Sequence, residues 1–392
     1  MTDDSPRLAI YVFTVSGLTV ALKLAGPLGA HVYAPVSLME RDIDLPPGLS
    51  FFTFSSLSSV VAEIFHTYSG HIFIAASGIA VRSVAPHLLG KHKDPAVLVI
   101  DQQGRFAISL LSGHLGGANY LARRVAAILE ATPVITTATD IEDLPSIDVA
   151  AKQAGLACEN PEAAKAVSAA LLAGDTVFLH DPDNRLGFQG SRFDPLFQSI
   201  ETIIARGPPD APSAGSRPPP EQRILDAAVM PVAGKAPQAA AIIVTERALA
   251  LDQANRQRCL LLHPRLYSAG VGCKRGTSAS RIIEAVHAAL AKAGVARGTL
   301  ACLASLDVKT DEPGLVQAAR RLDVPLRFYD AGELAAFPVT KVSAKAREVF
   351  GVLGVAEPAA LAAAGGGNGS AALVAAKEVF SGVTVALARR VE

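Results

Sequence analysis

The chain has no excess of either charge, since 36 lysines and arginines stand against 36 aspartates and glutamates. No global field therefore draws in nucleic acid or an anionic lipid surface, and any anionic ligand must be held by local clusters. Cysteine is scarce. Cys158, Cys259, Cys273 and Cys302 lie far apart and never reach C-x-x-C spacing, which argues against a zinc site and for a reducing compartment. No apolar run approaches the ~20 residues of a membrane-spanning helix. Residues 1–7 are short and acidic, without the basic stretch and apolar run of a secretory signal. The expectation is a cytoplasmic protein with no nucleic-acid or membrane partner. What remains is a chain of 392 residues, half apolar and 18% charged, which reads as packed globular material of two or three domains.

The most informative stretch is 105–138. Phe106, Ile108 and Leu110 alternate with small or polar residues, and Val134-Ile135-Thr136 is a short β-branched run, so both segments read as strands. Between them Leu115, Ala118, Ala122, Val125 and Leu129 share one helical face. This is a βαβ unit with parallel strands. Its first turn, Ser112-Gly113-His114-Leu115-Gly116-Gly117-Ala118-Asn119, sits where parallel sheets deliver their ligands. The glycines admit close approach to the backbone, and the helix start offers N–H groups to an anion or oxyanion. His114 can exchange a proton near neutral pH. The glycine spacing is not a dinucleotide fingerprint, and Ser112 lacks the G-x-S-x-G context of a serine hydrolase elbow.

Two further turns follow strands in the same way. One holds Ser77 and Gly78, with Arg82 on the helix that follows; the other runs Thr136-Thr137-Ala138-Thr139-Asp140. Three such turns in one parallel sheet raise the expectation of a ligand cleft. The polar run Lys91-His92-Lys93-Asp94-Pro95 precedes a strand instead, which places it at the opposite end of the sheet unless its loop wraps an edge.

Further along, 148–156 and 161–172 read as helices and 176–179 as a strand of a smaller module, interrupted by a Pro/Gly/Ala-rich insertion at 206–237. Strand character resumes at 241–244 and 260–262. The last domain opens with a strand at 266–271 and the turn Gly272-Cys273-Lys274-Arg275-Gly276-Thr277-Ser278. Two cations beside a helix start make this an anion site. After the strand at 300–306, Asp307, Lys309 and Asp311 lead into a helix that Asp311 can cap. The Ala/Gly-rich segment 362–372 reads as a loop.

The segments AASGI (75–79), KHKDPAV (91–97), LLSGHLGGAN (110–119), TTATD (136–140) and GVGCKRGT (270–277), in this order, resemble the cobalamin biosynthesis family CbiG, the cobalt-precorrin-5A hydrolases. The resemblance implies an α/β protein of three-layer α/β/α amino-terminal (1–143) and carboxyl-terminal (265–392) domains, joined by a smaller α/β module (144–264). It implies opening of a δ-lactone on a ring-contracted cobalt macrocycle by water, with release of acetaldehyde. No cofactor or protein-bound metal is implied, because cobalt arrives in the substrate. Neighbouring pathway methyltransferases are candidate partners.

For that chemistry His114 is the candidate base, with Arg82 and the Gly116 and Gly117 N–H groups as oxyanion or carboxylate donors. Lys91, His92 and Asp94 share the acid–base work if their loop reaches the site. Ser77, Gly78, Ser112, Gly113, Asn119, Thr136, Thr137 and Asp140 are candidate substrate contacts. On the last domain Gly272, Lys274, Arg275, Thr277, Asp307 and Lys309 are candidates to hold the substrate's carboxylate arms, with the macrocycle between the outer domains. The segment Ala376-Lys377-Glu378-Val379-Phe380 departs from the family's more basic turn. The alternative is a corrinoid carrier without turnover, because the carboxyl-terminal domain resembles a stand-alone protein of the aerobic pathway.

Overall fold

The computed structural model describes residues 8–40, 45–90, 93–199, 221, 225, 239–340, 342–365 and 370–391. The chain divides into two compact units, Met1–Ala150 and Ala151–Glu392.

In the first unit the continuous apolar runs become strands buried on both faces. The strands are β1 (Leu8–Val12), β2 (Ala30–Pro35), β3 (Phe51–Phe54), β4 (Gly70–Ile74), β5 (Ala96–Ile100), β6 (Phe106–Leu111) and β7 (Thr132–Val134), in sheet order β3-β2-β1-β4-β5-β6-β7. Helices α1 (Val15–Leu28), α2 (Val36–Met39), α3 (Leu57–Ile64), α4 (Ser77–Val84), α5 (Ala118–Leu129) and α6 (Ala138–Ile141) intervene or follow, and α7 (Ile147–Gln153) spans the boundary between the units. Strand periodicity divides the core. Leu8, Ile10 and Val12 pack with α1 and α5 on one face, while Ala9 and Tyr11 pack with α3 and α4 on the other. The unit is thus a three-layer α/β/α sandwich.

One feature overturns the expected single parallel sheet. Strands β1 to β5 are parallel, but β6 pairs antiparallel with β5, and β7 follows β6 in parallel. The cause is local. The Asp101 carboxylate accepts hydrogen bonds from Gln103, Arg105 and Phe106 N–H, and Gly104 N–H donates to the Asp101 carbonyl, closing a hairpin. A connection this short cannot make the crossover a parallel neighbour requires.

The second unit contains two five-stranded sheets. The first has order β10-β9-β11-β12-β8, from β8 (Leu156–Cys158), β9 (Val177–His180), β10 (Phe197–Ser199), β11 (Ala240–Val244) and β12 (Cys259–Pro264), with α8 (Ala163–Ala173) and α9 (Gln253–Arg258). The second has order β15-β14-β13-β17-β16, from β13 (Tyr267–Gly272), β14 (Leu300–Leu306), β15 (Leu326–Tyr329), β16 (Ser370–Phe380) and β17 (Val383–Val391). On one face lie α10 (Ala279–Lys292) and α11 (Pro313–Leu322); α12 (Ala331–Ala335), α13 (Ala344–Phe350) and α14 (Ala356–Gly365) complete the domain, with α14 against the opposite face.

Three expectations change here. The helix foreseen at 148–156 ends at Gln153 and yields to β8. The loop foreseen at 362–372 is instead the buried end of α14 and the start of β16, apart from residues outside the described set. Helix α11 takes Glu312, not Asp311, as its N-cap position. The insertion at 206–237 lies outside the described residues except for Glu221 and Leu225, whose side chains are buried.

Candidate active site

The turn from β6 into α5 is tightly built. Ser112 adopts a left-handed backbone, with φ of 57°. A Cβ on Gly116 would stand 2.3 Å from the Ser112 Cβ and 3.2 Å from the Asp94 carbonyl oxygen, and one on Gly113 would meet Asn119 Oδ1 at 2.7 Å. Both positions therefore exclude side chains. The turn is also internally bonded, with Gly117 N–H donating to the His114 carbonyl, Ala118 N–H to Ser112 and Asn119 N–H to Gly113. This corrects one expectation. Gly117 N–H is occupied within the turn and cannot serve as an oxyanion donor, while Gly116 N–H makes no hydrogen bond among the described residues.

Because β7 runs parallel to β6, its end delivers α6 beside this turn. Asp140 becomes the hub of the site. Its Oδ2 accepts from His114 Nε2 at 2.9 Å and Asn119 Nδ2 at 2.8 Å, and its Oδ1 accepts from Arg123 at 2.7 Å. Thr139 Oγ1 lies 3.2 Å from the same His114 nitrogen. Partial burial works to raise the Asp140 carboxyl, but hydrogen bonds from Arg123, His114 and Asn119, with the charge of Arg123, outweigh it and hold the group below the usual carboxylate range. It is an anion at neutral pH. Asn119 is buried and saturated, for its Oδ1 accepts from the Ser109 hydroxyl at 2.7 Å and its Nδ2 also reaches Thr137 Oγ1. Asn119, Thr137 and Asp140, candidates for touching substrate, are joined to one another and, through Asp140, to His114. Thr136 is exposed beside them. Sequence reasoning missed Arg123 and Ser109, and named Thr139 only as part of its turn. The spacing of Asn119 and Arg123, one helical turn apart, was the available signal.

The reversed strand redistributes the other candidates. Ser77 and Gly78 follow β4, whose end lies at the opposite rim of the sheet from the end of β6, about 13 Å or more away by strand length. The Arg82 guanidinium folds back over Gly78, 3.4 Å from where a Cβ would sit, and stays at that rim. The Asp94 loop, expected at the far end, instead abuts Gly116. Its carboxylate is committed to the backbone, however. It is buried and accepts from Leu89 N–H at 2.8 Å and Gly90 N–H at 3.0 Å, pinning the loop. Lys91 and His92 lie outside the described residues.

Compared with known protein families, residues 59–140 match the cobalamin synthesis G N-terminal model, 145–264 the cobalamin biosynthesis central region and 267–388 the cobalamin synthesis G C-terminus. A cobalt-precorrin-5A hydrolase of Salmonella typhimurium is 30% identical over 359 residues, 90% of this chain and 90% of its own. The chain belongs to the CbiG family. A cobalt-precorrin-5A hydrolase of Priestia megaterium is 29% identical over 381 residues, 97% of this CbiG chain and 94% of its own. Protein CobE of a Sinorhizobium species is 43% identical over 122 residues, 30% of this chain and 77% of its own.

The carboxyl-terminal region of this CbiG chain brings its own candidates together, because β13 and β14 are parallel neighbours whose ends share a rim. The buried Glu312 carboxylate accepts from Gly276 N–H at 2.9 Å and stands 3.7 Å from Lys309 Nζ. Thr277 Oγ1 donates to the Lys274 carbonyl, and Ser278 caps α10. Arg275 pairs with exposed Asp311 at 3.6 Å. Gly272 ends β13, and Asp307 is exposed after β14. The Lys274 ammonium has no partner among the described residues. A separate cavity of ≈ 640 Å³ in the second unit, lined by His180, Arg185, Thr245, Glu246, Arg247 and Tyr267, holds none of the sequence candidates.

Proposed function

We infer that this chain is a cobalt-precorrin-5A hydrolase, which opens the δ-lactone of the ring-contracted cobalt macrocycle with water and releases acetaldehyde to give cobalt-precorrin-5B. The observation that carries the reading is the match to hydrolases of that name over 90% or more of both partners' lengths. A carrier role drawn from CobE rests on only 30% of the chain. It leaves the hydrogen-bonded His114–Asp140 pair without a task.

In this reading His114 takes a proton from water while the water oxygen bonds to the lactone carbonyl carbon. The oxyanion collapses, the ring C–O bond breaks, and the departing alkoxide takes the proton back from the imidazolium. The freed hydroxyl then loses its proton, its oxygen forms the carbonyl of acetaldehyde, and the broken C–C pair enters the conjugated macrocycle, which is then protonated. One water is consumed for each acetaldehyde released. Gly116 N–H is the remaining turn donor for the oxyanion, and Lys274 and Arg275 suit carboxylate arms by charge. No resident metal is required, since the substrate brings the cobalt.

The test is anaerobic incubation with cobalt-precorrin-5A, following acetaldehyde and the mass of the macrocycle. Stoichiometric acetaldehyde is expected from the native chain. His114→Ala should bind the macrocycle and lose turnover by about 10²–10⁴-fold, the range for one general base. Tight binding without either product in the native chain would establish a carrier instead.

A further inference from the structure

The proposed reaction needs a base but does not say which imidazole nitrogen acts. We propose that Asp140, held from behind by Arg123, fixes His114 in the Nε2–H tautomer, so that Nδ1 takes the proton. Asp140 and Arg123 are then positioning residues. The proposal rests on His114 being the base of the proposed hydrolase.

The assignment proceeds inward from groups whose roles admit no choice. Arg123 can only donate, and it occupies Asp140 Oδ1 at 2.7 Å. The Asn119 amide is oriented by its neighbours. Its carbonyl oxygen accepts from the Ser109 hydroxyl at 2.7 Å, which turns its N–H₂ toward Thr137 and Asp140. The opposite orientation would set an amide oxygen against a carboxylate oxygen at 2.8 Å. Asp140 Oδ2 is thus an acceptor already receiving one N–H bond, and the nitrogen 2.9 Å from it, His114 Nε2, must be the donor. Thr139 Oγ1, 3.2 Å from that nitrogen, can accept the same hydrogen. A neutral imidazole that donates through Nε2 carries its lone pair on Nδ1. Among the described residues no group takes Nδ1, and His114 retains 24% side-chain exposure while Asp140 keeps 14%. One turn of α5 supplies both clamps, since Asn119 and Arg123 are four residues apart on the face toward Asp140.

The tautomer can be read without substrate. The full chain is labelled with ¹⁵N-histidine and observed at about pH 8.5, where free imidazole is neutral, and the His114 signals are assigned by their loss in His114→Gln. The expected result is a protonated-type Nε2 and an unprotonated-type Nδ1. In Asp140→Asn the new amide can turn an N–H toward Nε2, so the Nδ1–H form should appear. An Nδ1–H ring in the native chain, or a tautomer unmoved by Asp140→Asn, would overturn the proposal.

In the acetaldehyde assay Asp140→Asn should lower kcat on the order of 10²-fold or more, as expected when a base is held in the wrong tautomer, with KM within about twofold. Arg123→Gln should lower kcat less, and Arg123→Lys should recover most of it. Native kcat in both Asp140→Asn and Arg123→Gln would remove the positioning role. Should the native chain release no acetaldehyde, the functional reading fails while the tautomer still stands or falls on the spectra.

Discussion

Two histidines of the amino-terminal unit differ in what their surroundings leave free. His114 has one nitrogen engaged, whereas His71 has both, with Nδ1 accepting from the Tyr11 hydroxyl at 3.0 Å and Nε2 donating to the Phe65 carbonyl at 3.1 Å. It is fully buried, and burial pushes its pKa down from 6.5 to about 4. Between those values the unfolded chain binds the proton and the folded chain does not. This contribution to stability is complete above pH 6.5 and is lost as pH falls toward 4. The loss amounts to about 3 kcal/mol. Urea unfolding at pH 7 and at about pH 4.5 should therefore show a smaller pH effect in His71→Phe than in the native chain. That variant should also cost ~1–3 kcal/mol at pH 7 for the Tyr11 and Phe65 groups left unpaired. An equal pH effect in both proteins would count against the assignment. At this scale the sequence singled out the turn but not the hydrogen-bond pairing within it. Asp94 lies in a charge run that reads as chemistry, yet its carboxylate serves two backbone amides, which depends on loop geometry. Asp140 reads as a substrate contact because Arg123 and Asn119, its partners, are 17 and 21 residues away in the chain.

Among the elements, most strands were legible as apolar runs, with β3, β8, β10 and β16 excepted, and the direction of β6 was not drawn from the sequence. The signal was present. Asp101-Gln102-Gln103-Gly104-Arg105 has an aspartate and a glycine at hairpin positions and is too short for a helix. Missing it set the Arg82 turn beside His114, whereas the two occupy opposite rims. Arg82→Ala is accordingly expected to keep kcat for acetaldehyde release within about threefold of native, while His114→Ala abolishes most of it. A loss in Arg82→Ala as large as that in His114→Ala would refute this separation. The end of helix α14 was read as loop for a different reason. The helix is rich in alanine and buried on every side, so no polar face marks a helical period, although alanine is the best helix former. It lies so close to β13 that a Cβ on Gly270 would stand 1.8 Å from the Ala356 carbonyl oxygen. Gly270→Ala should destabilise by about 1–3 kcal/mol or more, measured by urea unfolding. An unchanged midpoint would show that the helix can shift away freely.

At the scale of the whole molecule, the α/β character followed from alternating strand and helix patterns. The long-range pairings did not follow. β8 and β17 join their sheets antiparallel from distant positions, and β16 had no clear strand signal because exposed and half-buried residues alternate along it. The second unit is also tied together by a contact that no local pattern shows. Glu246 accepts from Arg389 Nε at 2.9 Å and from the Tyr267 hydroxyl at 2.7 Å, joining the middle module to the carboxyl-terminal sheet. The hydrogen bond from Arg389, against opposing burial, holds the Glu246 carboxyl below its usual range. This pair is partly exposed, so Glu246→Gln should lower stability by only about 1–2 kcal/mol, between the exposed and buried limits for ion pairs. Unfolding curves of the two proteins that superimpose would show that the pair contributes nothing. The antiparallel hairpin has one more use, for whoever handles the protein. Because His114 and the Ser77 turn lie on opposite rims of the amino-terminal sheet, a fluorophore on Ser77→Cys stays clear of the histidine and its clamp. The same dye on Gly113→Cys would displace Asn119, and with it the alignment it was meant to observe.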